Sequence, residues 1–116
     1  VNDLARCDMA EAVEDAFRYS KLVLATTTYN AEVFPFMREF LAHLTERYFC
    51  NRKVAFLENG GWAPIAAKIM KERLEKCKNL LFIEPEVRIL SVVSEVNLQE
   101  MDLLVKGIMS EKPLPL

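Results

Sequence analysis

The sequence has no excess of positive charge: 15 basic residues stand against 17 acidic ones, a net charge of -2. Such a balance does not attract a phosphodiester backbone, so nucleic acid is not an expected partner. Long hydrophobic runs are also lacking. Charges break every apolar stretch well short of the roughly 20 residues a bilayer span needs, which excludes a membrane helix. The opening stretch, VNDLARCDMAE, holds neither a basic start nor an apolar core and does not read as an export signal. Cysteine is scarce. Cys7, Cys50 and Cys77 are odd in number, far apart and without a CxxC pair, which fits neither a disulfide framework nor a zinc knuckle. A cytoplasmic setting follows, with each thiol a small buried or half-buried side chain. One histidine, His43, and no Gly-x-Ser-x-Gly elbow leave hydrolase chemistry without equipment.

What the sequence does have is apolar content, 52% of 116 residues, enough for one compact domain over 1–116. Val1 to Ala5 resembles the tail of a strand. Asp8, with Glu11 three residues on, predicts a capping box for a helix over 9–19, whose inward side is Met9, Ala12, Val13, Ala16 and Phe17. Lys21 to Thr26 is a continuous apolar run of the kind covered on both faces in a parallel sheet. A polar loop, Thr26 to Ala31, is expected next, then a helix from Glu32 or Val33 to about Tyr48 with Phe36, Met37, Phe40, Leu41 and Leu44 turned inward. His43 on that helix has no second ligand type at helical spacing and is assigned a structural role.

The same unit then repeats. Lys53 to Leu57 reads as a buried strand, Glu58 to Pro64 as a loop, and 64–77 as a helix with Ala66, Ile69, Met70, Arg73 and Cys77 inward. Leu80 to Ile83 and Val87 to Ser91 both look like strands separated by Pro85, and the second is the expected ladder strand. Asn97 and Glu100 predict a capping box for a last helix lined by Leu98, Met101, Leu104, Val105 and Ile108. Strands alternating with helices imply an α/β fold: a parallel sheet with right-handed crossovers and helices on both faces.

In such sheets ligands bind beyond the carboxyl ends of the strands, which brings Thr26 to Asn30 and Asn59 to Trp62 to one edge. Threonine hydroxyls and outward backbone N–H groups suit a phosphate. Tyr29 and Trp62 offer two rings able to sandwich a flat heterocycle, and Gly60 and Gly61 let the backbone approach it. Rim packing is the plainer role for both rings.

The pattern ATTTYNAEVFPF, followed after one helix and strand by ENGGWAP, resembles the flavin-contacting loops of flavodoxins, and most of all the flavodoxin-like domain of A-type flavoproteins (flavodiiron proteins). The resemblance covers nearly the whole chain and implies FMN as cofactor. By position, Thr26, Thr27 or Thr28 would touch its phosphate, Tyr29 would stack on one side of the ring with Asn30 shaping the loop, and Trp62 would cover the other side. Asn59, Gly60 and Gly61 would give backbone contacts to the ring's edge. The family's flavin passes electrons one or two at a time, and the implied partners are a di-iron domain or a rubredoxin-like redox protein.

One family feature has no counterpart in the sequence. The Ser/Thr-x-Thr-Gly-x-Thr phosphate loop and the strand before it do not occur, so the expected sheet is incomplete at its N-terminal side. Losing about three hydrogen bonds to a phosphate costs on the order of 5 kcal/mol, or about three to four powers of ten in affinity. The slot in the sheet predicts re-paired strands or a homo-oligomer. The alternative reading is a non-enzymatic α/β association module that dimerises without cofactor. A phosphoryl-receiver module fits poorly, because only Asp3 and Glu58 are acids near strand ends and no lysine matches.

Overall fold

The computed structural model describes residues 1–29, 32–60, 65–90 and 92–110, with the side chains of Thr28, Tyr29 and Glu32 outside that description. Four helices and four strands follow one another as α1 (Met9–Arg18), β1 (Lys21–Tyr29), β2 (Glu32–Val33), α2 (Pro35–Glu46), β3 (Arg52–Asn59), α3 (Ala66–Arg73), β4 (Leu80–Ile89) and α4 (Glu95–Met109). The strands form one sheet in the order β2-β1-β3-β4. β1, β3 and β4 are parallel, and β2 turns back antiparallel on Thr28 and Tyr29.

Helices cover both faces of the sheet, unequally. On one face α1, α2 and α3 enclose the larger core, in which Leu41, Leu44, Phe49, Phe56 and Met70 are fully buried. On the other, α4 packs on β3 and β4 through Ala55, Ile83, Val87 and Leu104, the one helix on that face among the described residues. Over β1 that second face has less cover, and Val23 is 46% exposed.

Several sequence expectations need correction. Val1 to Ala5 is not a strand: Asp3 accepts backbone bonds from Arg6 and Cys7 and closes a turn. The threonines are not in a loop, since β1 runs on to Tyr29 because the returning β2 pairs with its last two residues. α2 starts at Pro35, whose fixed φ suits a first helical position, and Phe36 is 41% exposed at its open end. α3 is shorter than 64–77 at both ends, with Pro64 outside the described residues. Leu80 to Ile83 is no mere lead-in. It belongs to one strand with Val87 to Ile89, and an irregularity opposite Ala55 and Leu57 takes up Pro85, which lacks the N–H a regular ladder would require.

α4 begins earlier than expected. Ser94 is its N-cap and accepts from the Asn97 N–H, while the Asn97 side chain accepts from the Ser94 N–H, so Asn97 holds the third helical position of the capping box. This moves the inward stripe to Asn97, Met101, Leu104 and Ile108, and leaves Leu98 and Val105 each 55% exposed.

α4 comes close to β4 at Gly107, where an added Cβ would lie 2.7 Å from Ile83 Cγ2 and 3.3 Å from the Glu84 carbonyl oxygen. Gly107→Ala gains about 1 kcal/mol of helix propensity and loses about 2 to 3 kcal/mol by overpacking. Denaturant unfolding should therefore show a net loss of about 1 to 2 kcal/mol. An unchanged or raised midpoint would mean that α4 can move off the sheet freely.

Candidate functional site

Parallel pairing brings the ends of β1, β3 and β4 level. Thr26 stands beside Glu58 and Glu58 beside Arg88, and in the next row Thr27 stands beside Asn59 and Asn59 beside Ile89. Successive strand residues point to opposite faces. Thr26, Glu58 and Arg88 thus lie on the α3 side, and Thr27 and Asn59 on the side of α4. Thr26 and Thr27 therefore stand on opposite faces of the sheet.

Thr27 and Asn59 are exposed and neighbouring, and Thr26 is half-buried. Gly60 continues the edge, with its N–H donating to the Ile89 carbonyl at 3.1 Å, which leaves its carbonyl and its bare Cα as what it can offer a ligand. Tyr29 and Thr28 are on the strand, their side chains outside the description. Asn30, Gly61 and Trp62 lie outside the described residues, so the two proposed ring contacts are not placed.

Behind this edge is a polar network that sequence reasoning missed. Glu58 is 2% exposed. Its Oε2 accepts from the Ala67 N–H at 2.5 Å and its Oε1 from Arg88 Nε at 2.7 Å. α3 has Ile65 as its N-cap residue with no side-chain bond there, so the carboxylate arriving from β3 supplies the missing cap and meets the positive end of the helix. The hydrogen bond and charge of Glu58 raise the Arg88 guanidinium's pKa above its ordinary value. The Arg88 carbonyl in turn accepts from Asn97 Nδ2 at 2.7 Å, so α3, β3, β4 and α4 are joined by one chain of bonds. The available signal was a glutamate directly following an apolar strand, since an acid that becomes buried has to find partners.

No protein-family model matches the sequence, and no curated protein matches it. Solved structures do. The rubredoxin oxygen:oxidoreductase of the anaerobe Desulfovibrio gigas superposes with a TM-score of 0.70 at 14% identity, over 86% of this chain and 31% of its own. A flavodoxin from the domain Archaea matches with a TM-score of 0.70 at 16% identity, over 91% of this chain and 70% of its own. The fold is flavodoxin-like. An apo form of the NADH:FMN oxidoreductase EmoB gives 0.68 at 18% identity, over 96% of this chain and 65% of its own.

Among the described residues the flavodoxin-like edge carries the polar side chains of Thr27 and Asn59 and the Gly60 backbone, which suit the polar rim of a flat ring. An anion is less well provided for among the described residues. The α3 N-terminus is already taken by Glu58, and Pro35 removes a donor from the first turn of α2. Other titratable groups stand apart from the edge. Burial pushes the Cys77 thiol above its ordinary pKa, partly opposed by a hydrogen bond with Thr45, which makes it a poor nucleophile. His43 sits on α2 with Nε2 3.7 Å from Glu39 and Nδ1 3.9 Å from Glu46. Among the described residues no group of three metal-ligating side chains forms, and no helix is long and apolar enough to cross a membrane.

Proposed function

We propose that this chain is an FMN-binding electron-transfer domain of the flavodiiron kind, working with a di-iron domain or a rubredoxin-like redox partner. The observation that carries the reading is the juxtaposition of Thr27 and Asn59 at the carboxyl edge of a flavodoxin-like sheet. Thr27, Asn59 and Gly60 would hold the ring's polar rim, and Tyr29, Asn30, Gly61 and Trp62 are the proposed remaining contacts. When bound, FMN supplies one- and two-electron chemistry. The chain's share is to orient the ring and to hold its edge by hydrogen bonds, with the Glu58–Arg88 pair keeping β3 and β4 level beneath it.

The described residues fit the ring better than the phosphate, which makes a specific forecast. Flavin fluorescence should be quenched saturably at high micromolar protein. FMN and riboflavin should bind within about fivefold of each other, since an exposed charge contact contributes no more than about 1 kcal/mol. Absence of quenching by either flavin would sink the cofactor reading. A large preference for FMN would instead favour the phosphate contact that the resemblance implies for Thr26, Thr27 or Thr28.

A second reading, an α/β association module that forms homodimers without cofactor, is favoured by the exposed apolar side chains of α4, Leu98, Leu103, Val105 and Met109. Light scattering that gives a monomer at all concentrations would set it aside.

A further inference from the structure

We propose that the amino edge of the sheet, at the opposite end of the strands from Thr27 and Asn59, docks a short, carboxylate-rich segment of a partner protein. Three connections meet there, each taken to the second residue of the strand that follows: 19–22 before β1, 47–53 before β3 and 74–81 before β4. They are tied side by side. The Lys53 N–H donates to the Ser20 carbonyl at 3.1 Å, the Asn51 N–H to the Lys78 carbonyl at 3.2 Å, and Asn79 Nδ2 to Asn51 Oδ1 at 2.6 Å. Together the three connections hold six basic residues against one acidic, Glu75. This edge therefore carries +5, and the rest of a chain whose net charge is -2 carries -7.

Bases are expected where helices end, because a helix C-terminus carries about half a negative charge. Four helices end at this edge, which accounts for about two of the five charges. Their last turns do not offset the remainder, since they hold four bases and three acids. Two of the six bases are used within the edge itself. The Arg52 guanidinium donates to the Phe17 and Cys50 carbonyls, and Lys53 Nζ to that of Ser110. Lys21, Arg47, Lys76 and Lys78 are exposed, and among the described residues none of them pairs with an acid. Lys21 also stands in register beside Lys53, which raises the local positive potential.

One aromatic ring stands among these charges. Tyr48 is 87% exposed and lies in the left-handed region, with φ 59°. The closure of α2 explains its backbone: the Tyr48 N–H donates to the Thr45 carbonyl and the Phe49 N–H to that of Leu44, which places Phe49 in the core. Glycine is the residue such a turn favours, so the turn does not account for the ring. An exposed tyrosine beside Arg47 is the pairing of residue types that anchors protein interfaces. Size and field select the occupant. The edge spans three strands, about 10 Å, close to the Debye length of about 8 Å at physiological ionic strength. A nucleic-acid duplex or a lipid surface extends past it and comes under the field of the remaining -7, whereas a segment with three or four carboxylates ends where the bases do. The eight residues of β3 put this surface roughly 23 Å from Asn59, so the inference does not rest on the flavin reading.

The test uses the full chain and a peptide of alternating glutamate and serine carrying a neutral dye, beside the same peptide with glutamine in place of glutamate. The glutamate peptide should bind saturably at low salt and shift the amide resonances of 19–22, 47–53 and 74–81. Physiological ionic strength should weaken it by about tenfold. Arg47→Glu combined with Lys78→Glu should also weaken it by about tenfold, with circular dichroism unchanged. Arg38→Glu combined with Lys68→Glu changes the net charge equally, at exposed positions in the first turns of α2 and α3, and should weaken it by less than about twofold. Tyr48→Gly, which the left-handed backbone accommodates, should weaken binding by about threefold without lowering thermal stability. The proposal fails if the folded chain does not bind the glutamate peptide saturably, if the glutamine peptide binds equally, or if the two charge-reversed pairs act alike. It also fails if a short DNA duplex or phosphatidylserine vesicles bind more tightly than the peptide, or if low salt alone makes the chain self-associate, which would make a second copy's acidic surface the occupant.

Discussion

Glu58→Ala is expected to lower the free energy of unfolding by about 3 kcal/mol, an unusual cost for removing a residue that borders a polar edge. The substitution deletes two charge-assisted hydrogen bonds, to the Ala67 N–H and to Arg88 Nε, each of about 1.5 to 3 kcal/mol. Part of that is regained, because Arg88 is 59% exposed in its side chain and can turn to water. The Ala67 N–H cannot do so, since Ala67 is 1% exposed at the start of α3. Arg88→Ala addresses the same pair from the other side and strands a carboxylate in the interior, a loss of similar size. The double substitution should cost clearly less than the two single ones together, and the coupling should reach about 1 kcal/mol or more. Additive losses in denaturant unfolding would show that the carboxylate serves α3 alone.

Phe56→Ala should cost still more, about 4 kcal/mol. Phe56 is fully buried at the centre of β3 and pairs in register with Leu24. Its ring lies 5.5 Å from that of Phe82, and Lys71 Nζ stands 5.8 Å above it while bridging to Glu86. Loss of the ring removes a large buried apolar surface and opens a cavity between α3 and the sheet, and neither flanking strand can close in without breaking its ladder. The midpoint of urea unfolding should fall with an unchanged slope, and Phe56→Leu should recover more than half of the loss. A loss below about 1.5 kcal/mol for the alanine variant would mean that the core collapses around the gap.

The fold was legible in the order of its elements because each one announces itself locally. The apolar runs at Leu22 and Val54 and the helical stripe from Met37 to Leu44 lie where their patterns put them. Boundaries were less legible where a distant partner decides them. β1 reaches Tyr29 because β2 returns to it, and β4 survives Pro85 because β3 tolerates an irregularity there. Hydropathy ranks Leu98 and Val105 above Asn97 and predicts them inward, yet Asn97 takes the buried position by bonding to the Arg88 carbonyl and to its own cap. That the ends of β1 and β3, where the site is proposed, lie side by side was legible from the order of the elements. The carboxylate behind it was not, since a glutamate ending a strand has the same local signature whether it meets water or a helix N-terminus. Only the crossing of β3 beneath α3 tells the two apart.

The end of α4 offers a practical handle. Lys53 Nζ donates to the Ser110 carbonyl at 3.0 Å, which fixes the helix end to the opening residues of β3, at the sheet's amino edge. A dye, an electrode tether or a fused reporter joined at Ser110 would therefore sit at the far side of the molecule from Thr27 and Asn59. Surface attachment through that point would orient the polar edge toward solution, where titrated flavin or a redox partner could reach it unobstructed.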